Sequence, residues 1–129
     1  MKILLDTCSF LWFVTDSPQL TAVAREIFKN VDNAVYLSVI SAWEMIIKYQ
    51  LGKLPLPKDP MSFIEIQRQL HHIESLSLDE SSVSQLIKLP DLHRDPFDRI
   101  LICQAIEKDL IILTPDPWIQ QYPVRTLLW

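Results

Sequence analysis

The 129-residue chain contains only one glycine, Gly52. Loops that cradle phosphate with their backbone, such as the P-loop and the Rossmann dinucleotide fingerprint, need several glycines so that the main chain can approach the ligand. The sequence therefore excludes both kinds of phosphate site. No apolar run approaches the roughly 20 residues that cross a bilayer, and the acid at position 6 comes too early for the apolar region of a signal peptide. We therefore expect a soluble, cytoplasmic protein that is not associated with membranes.

Cysteine is also scarce, since only Cys8 and Cys103 are present and no CxxC motif occurs. This usage is typical of free thiols in a reducing compartment. Cys103 lies among apolar residues of a predicted helix, and we expect it to fill the core. Cys8 is expected beside the acidic cluster described below, but no histidine motif near it predicts a catalytic thiol.

Positive charge is not in excess, because the formal net charge is −4. The chain as a whole therefore does not attract nucleic acid, and binding of RNA or DNA would need a local basic patch or a metal ion. The candidates for such a patch are Lys48, Lys53, Lys58, Arg68, Arg94 and Arg99. Most of them are equally well explained as ordinary solvated charges.

Hydrophobic residues make up 49% of the chain and charged residues 22%, the balance of a globular protein. The length predicts one domain over residues 1–129. Short apolar runs alternate with helix-length amphipathic segments, which is typical of α/β architecture. The predicted strands are 2–6, 34–38, 74–78, 110–113 and 124–127. The predicted helices are 9–14, 21–30, one that ends at Gly52, 61–72, 79–88 and one that starts near Phe97, with a turn or short helix at 116–121.

Two of these helices have a predicted apolar face. The face of the 21–30 helix consists of Val23, Ile27 and Val31. The face of the 61–72 helix consists of Phe63, Ile66, Leu70 and Ile73. We also expect most of the four tryptophans to pack in the core.

Four acidic residues, Asp6, Glu44, Asp98 and Asp116, stand at strand-to-helix junctions where periodicity predicts apolar residues. Asp6 ends the apolar run of the first strand, and Asp116 follows the run 110–113 by three residues. Glu44 and Asp98 fall on the apolar stripes of their helices. A carboxylate that shares a buried face must be paired, protonated or bound to a metal ion.

The predicted strand ends indicate that these acids converge. In an open parallel sheet, ligands bind in the crevice beyond the carboxyl ends of the strands, where Asp6 and Asp116 are predicted. Asp98 lies in the first turn of its helix, whose positive dipole end tolerates negative charge. Carboxylate oxygens suit Mg²⁺, with Mn²⁺ as the alternative. Four converging carboxylates would hold one ion, or two ions about 4 Å apart as in many nucleases.

Each acid also has a simpler explanation. Asp98 is a reasonable residue for a helix start, and Glu44 stands four residues before Lys48, so that the two could form a helix ion pair. Asp116 lies within a Thr-Pro-Asp-Pro sequence, which is typical of a turn. Asp6 is the hardest to explain in this way. The joint occurrence of all four favours a site.

Motifs around these acids extend over nearly the whole chain. They are LLDT at 4–7, SAWEMIIK at 41–48, LGKLP at 51–55, HRDPFDRILI at 93–102 followed by Gln104 and Ala105, LTPD at 113–116, and the ending at 122–129. Together they resemble the PIN-domain family of metal-dependent ribonucleases, and within it the VapC-type toxins of type II toxin–antitoxin systems. One departure is Cys8-Ser9, where related chains often carry His-Ala.

The resemblance implies a three-layer α/β/α sandwich with a central parallel sheet. It places Asp6, Glu44, Asp98 and Asp116 at the catalytic and metal-binding positions of the family, with Mg²⁺ or Mn²⁺ as cofactor. Asp95 is a less certain accessory, and Thr7 and Ser41 are expected to orient water or a carboxylate.

The resemblance also implies an activity and partners. The expected activity is endonucleolytic hydrolysis of RNA phosphodiesters by the toxin of a toxin–antitoxin pair. The expected partners are the RNA substrate, a cognate antitoxin protein that masks the site, and a second copy of the chain in a homodimer. The alternative is a catalytically silent PIN-like module that binds nucleic acid or protein.

Overall fold

The computed structural model describes residues 1–92 and 94–127. His93 of the HRDPFDRILI motif, and Leu128 and Trp129 of the chain ending, lie outside the described residues. The central sheet has five parallel strands in the order β3-β2-β1-β4-β5. The strands are β1 Lys2–Leu5, β2 Ala34–Ser38, β3 Ile73–Leu76, β4 Ile111–Leu113 and β5 Thr126–Leu127.

Helices cover both faces of this sheet. In the described residues they are α1 Thr7–Val14, α2 Ala22–Lys29, α3 Val39–Gln50, α4 Pro60–His71, α5 Glu80–Ser84 and α6 Pro96–Lys108, with 3₁₀ turns at Gln85–Ile87 and Ile119–Gln121. The predicted fold class, a three-layer α/β/α sandwich around a parallel sheet, is confirmed. The organisation as a single domain over 1–129 stays a prediction. Within the described part of the chain, no helix is long and apolar enough to span a membrane.

The central strand β1 is buried on both sides, which explains its unbroken apolar run. Ile3 and Leu5 pack into one core cluster with residues of α1, α2 and α4, such as Phe10. Leu4 faces the opposite cluster, which contains Leu101 and other residues of α6. Strands of parallel sheets covered on both faces are apolar throughout rather than alternating.

Side-chain caps make the strand-to-helix junctions abrupt. Asp6, the residue after β1, accepts a hydrogen bond from the Ser9 backbone N–H and caps α1. Ser38, the last residue of β2, caps α3 in the same way. Since caps of this kind satisfy the free amides of a first turn, no connecting loop is needed. Residues near these junctions therefore stay at the carboxyl edge of the sheet.

The predicted apolar face of the second helix is wrong at both valines, whereas Ile27 packs against the core as expected. Val31 lies beyond the end of α2 and is 95% exposed, and Val23 is exposed as well. The buried residues are Ala24 and Phe28. Phe28 stacks on Phe13 of α1, and this large aromatic contact sets the rotation of the helix in place of the smaller valines.

The fourth helix and the tryptophans also differ from expectation. Phe63 is buried as predicted, but its buried partner on α4 is Ile64, while Leu70 is 65% exposed. Trp43 and Trp118 are exposed, so core packing is wrong for these two residues. In a small domain with limited interior, periodicity within a segment does not decide which apolar side chains reach the core.

Candidate functional site

The structure places all four predicted acids around one pocket of about 370 Å³ at the carboxyl edge of the sheet. A fifth acid, Asp95, lines the same pocket. The described lining residues are Asp6, Thr7, Cys8, Leu11, Trp12, Glu44, Lys48, Asp95, Asp98, Pro115 and Asp116. The strand order explains this position, because the chain leaves β1 toward β2 on one side and returns to β4 on the other. A crevice opens at such a switch point in parallel sheets.

Asp6 is buried between the ends of the two central strands. Its Oδ1 accepts the Ser9 N–H at 2.7 Å, and its Oδ2 accepts the Thr114 hydroxyl at 2.5 Å. Burial raises the pKa of Asp6 above 3.8, against the lowering effect of these hydrogen bonds, and the nearby charge of Asp116 raises it further. The carboxylate thus occupies a place where its negative charge is poorly compensated.

Glu44 lies in the second turn of α3 and is also buried. The Thr7 hydroxyl donates to its Oε1 at 2.8 Å, and the Lys48 ammonium donates to its Oε2 at 2.6 Å. The helix ion pair considered as the simpler explanation is therefore present, and Glu44 lines the pocket as well. Glu44 therefore forms the helix ion pair and lines the acidic pocket at the same time. The expected role of Thr7 in orienting a carboxylate has a contact to support it.

Asp95 and Asp98 reach the pocket from the first turn of α6. Asp95 is the N-cap, and its Oδ1 accepts the backbone N–H groups of Phe97 at 2.9 Å and of Asp98 at 3.3 Å. The rings of Trp43 and Phe97 meet edge to face with centroids 5.1 Å apart. This contact joins α3 and α6 next to the two acids, since Glu44 follows Trp43 and Asp98 follows Phe97.

Thr114 is a site residue to which the sequence assigned no role. Its hydroxyl donates to Asp6 and also accepts the backbone N–H of Asp116 at 3.0 Å, which links two of the predicted acids. Asp116 in turn caps the following turn by accepting the Trp118 N–H at 2.8 Å. The signal available in the sequence was the position of Thr114 directly after the apolar run of β4.

Three other residues that the sequence analysis named as candidates do not line the pocket. Ser41 is fully buried, and its hydroxyl has no hydrogen-bond partner among the described residues. Arg68 binds the backbone carbonyls of Leu37 and Glu74. Arg99 binds the Pro90 carbonyl and the Tyr122 hydroxyl. These two arginines support the fold and do not form a basic patch at the pocket.

The electrostatics of the pocket suit a hard cation. Burial, followed by the charge of Asp6, raises the pKa of the Cys8 thiol to about 11. A thiol that is protonated at neutral pH is a poor nucleophile, which agrees with the absence of a predicted catalytic role. The donor set is dominated by carboxylate oxygens, which match Mg²⁺ or Mn²⁺ and do not match structural zinc.

The carboxylates also have protein donors. Among residues 1–92 and 94–127, no three acidic, histidine or cysteine side chains are arranged to hold a metal ion. Asp6, Glu44 and Asp116 each give at least one oxygen to a hydroxyl, an amide or an ammonium group.

Fold and pocket together define a parallel α/β/α protein with an acidic crevice at the switch point of its sheet. Comparison with known proteins gives a match to the PIN domain over residues 3–124. The chain belongs to the PIN-domain family. The resemblance inferred from the motifs is confirmed.

The matches include one VapC ribonuclease and chains of solved VapBC complexes. Ribonuclease VapC16 of Mycobacterium tuberculosis is 38% identical over 68 residues, which are 50% of this chain and 48% of that protein. The chain thus spans about half the length of the curated relative it matches. A chain of VapBC2 from Rickettsia felis, solved bound to a DNA fragment from its promoter, has a TM-score of 0.71 and 16% identity, covering 100% of this chain and 99% of that one. A chain of DNA-bound VapBC from Salmonella typhimurium has a TM-score of 0.70 and 19% identity, covering 100% and 98%.

Neutralising Asp6 should stabilise the protein in the absence of metal. The amide of an Asp6→Asn variant keeps an oxygen for a hydrogen bond with Ser9 or Thr114 but removes the poorly compensated charge. The pKa of Asp6 is raised in the folded state. The contribution of this residue to the free energy of unfolding is therefore complete below pH 3.8 and is lost as the pH rises through the raised pKa. We expect a melting temperature a few degrees above wild type at pH 7 in chelator, with a difference that shrinks on acidification.

Melting curves from pH 4 to 8 measure this difference, with Asp32→Asn as the control because Asp32 is exposed and outside the pocket. A melting temperature for Asp6→Asn at or below that of wild type at pH 7 would contradict the claim that the Asp6 charge destabilises the folded protein.

Removing the Thr114 hydroxyl should destabilise the fold. A Thr114→Val variant leaves the buried Asp6 carboxylate short of one donor, which costs roughly 1–3 kcal/mol of unfolding free energy. Thr114→Ser keeps the donor and loses only a methyl group. Urea unfolding in chelator compares the two, and a Val variant as stable as the Ser variant would show that the hydrogen bond is unimportant.

Proposed function

We propose that the protein is a metal-dependent endoribonuclease that hydrolyses RNA phosphodiesters and acts as the toxin of a toxin–antitoxin pair. The observation that carries this proposal is the convergence of Asp6, Glu44, Asp98 and Asp116 on one pocket. Membership of the PIN-domain family and the similarity to a protein named ribonuclease support it. The VapBC complexes among the structural neighbours support an antitoxin as partner.

The same four carboxylates are the proposed ligands of one or two Mg²⁺ or Mn²⁺ ions, with Asp95 near them. A bound divalent ion lowers the pKa of water and neutralises charge on a phosphodiester, which is the chemistry that hydrolysis needs. The chain's own contribution is positioning. Ser9 and Thr114 fix the Asp6 carboxylate from both sides, and Thr7 fixes one oxygen of Glu44.

The pocket also has an apolar wall, formed by Leu11, Trp12 and Pro115. Apolar lining of this kind strengthens electrostatic interactions inside a pocket.

Both oxygens of Glu44 accept hydrogen bonds from protein groups, and this observation favours the alternative, a catalytically silent PIN-like module that binds nucleic acid or protein. The two functions differ in their dependence on metal and on Asp98. A binding module would retain RNA in the presence of Mn²⁺ without producing fragments.

Cleavage of RNA should require both the ion and the acid at position 98. With Mg²⁺ or Mn²⁺ and a mixed single-stranded RNA, we expect discrete fragments, and none in excess chelator. Asp98→Asn should lower the cleavage rate by roughly 100-fold or more, a loss typical of groups that stabilise developing charge. Gel analysis of labelled RNA measures both effects.

The matched control is Asp109→Asn, which makes the same charge change at the exposed far end of α6. It should cleave at the wild-type rate. Cleavage that persists equally in chelator and in Asp98→Asn would rule out the proposed mechanism, and RNA binding without fragments would assign the protein to the alternative class.

A further inference from the structure

Lys48 carries the only positive charge among the described residues that line the acidic pocket. It lies one turn after Glu44 on α3, and its ammonium group is 2.6 Å from Glu44 Oε2. The side chain of Lys48 is 49% exposed, whereas that of Glu44 is 7% exposed. The Lys48 side chain therefore reaches from solvent to a carboxylate that is buried in the pocket.

Both oxygens of Glu44 are in use. Thr7 donates a neutral hydroxyl to Oε1, and Lys48 donates a charged ammonium to Oε2. These two donors differ in their effect on an incoming ion. A hydroxyl that donates to a carboxylate remains compatible with a cation on the other oxygen, whereas an ammonium group occupies that oxygen and repels the cation.

We propose that Lys48 is a positioning residue that acts through Glu44 and sets the affinity of the pocket for divalent ions. In the absence of an ion, Lys48 compensates the buried Glu44 charge and holds the oxygen that an ion would take. Ion binding displaces the ammonium group toward solvent, so the pocket binds the ion more weakly with Lys48 than without it. This inference rests on the ion site of the proposed function.

The burial of Glu44 explains why a divalent ion can replace the Lys48 ammonium group. A buried carboxylate that loses its charged partner is left uncompensated, which destabilises the fold. A divalent ion restores that compensation. A variant without the ammonium group should therefore be less stable without ions and should gain more stability on adding them.

The test is titration of the 129-residue chain with Mn²⁺ alone, without RNA, by isothermal calorimetry. For Lys48→Met we expect a dissociation constant roughly three- to tenfold lower than wild type, a modest factor because the ammonium group is half exposed and screened. The Mn²⁺-induced rise in melting temperature should be larger as well. Lys48→Arg keeps the charge and the donor and should bind Mn²⁺ as wild type does.

Two controls separate this effect from simple loss of positive charge. Lys108 forms a similar ion pair with Asp79 at 2.5 Å, with side chains 41% and 42% exposed, away from the pocket lining. Lys108→Met should leave Mn²⁺ affinity unchanged. In a Glu44→Gln background, which should bind Mn²⁺ more weakly, adding Lys48→Met should change the affinity no further, because the acid through which Lys48 acts is gone.

Equal or weaker Mn²⁺ binding by Lys48→Met would overturn the inference, as would an equal gain in Lys108→Met or in the Glu44→Gln background. If Lys48→Met does not fold, Lys48→Gln keeps a neutral donor and carries the same expectation. A wild-type chain that binds no Mn²⁺ would overturn both this inference and the proposed ion site. Tighter binding in Lys48→Met by a chain that cleaves no RNA would contradict only the proposed function.

Discussion

The cost of keeping ionised carboxylates in a shared, largely buried pocket is the constraint on which this structure depends. Asp6 and Glu44 are both buried, and each has two donors that offset part of the lost hydration. The donors come from separate segments of the chain. The acidic crevice is therefore maintained by the surrounding fold, at the point where the ends of β1 and β4 meet α1, α3 and α6.

Much of the fold could be predicted from the sequence because the parallel sheet leaves a simple pattern. A strand covered on both faces is a short unbroken apolar run, and the runs at β1, β2 and β4 stand out for this reason. The side chains of Asp6 and Ser38 cap the following turns, which is why α1 and α3 begin directly after their strands. Asp6 is also the most readily identified site residue, since a charge directly after a buried strand needs a partner.

The remaining features depend on contacts between distant segments, which periodicity does not encode. Asp6 and Thr114 are 108 residues apart, and their hydrogen bond exists only because β1 and β4 are neighbours in the sheet. The strand order was not predictable from the individual runs, so the switch point was not either. The faces of α2 and α4 likewise depend on contacts with other segments, such as the stacking of Phe28 on Phe13.

The central claim is that the acidic pocket is a divalent-cation site, and diffraction from crystals grown with Mn²⁺ tests it most directly. The account predicts an anomalous manganese peak inside the pocket, about 2.0–2.2 Å from carboxylate oxygens of at least two of Asp6, Glu44, Asp98 and Asp116. It also predicts that this peak is lost in Asp98→Asn. Well-ordered crystals with no manganese in the pocket, or with manganese bound only elsewhere on the surface, would contradict it.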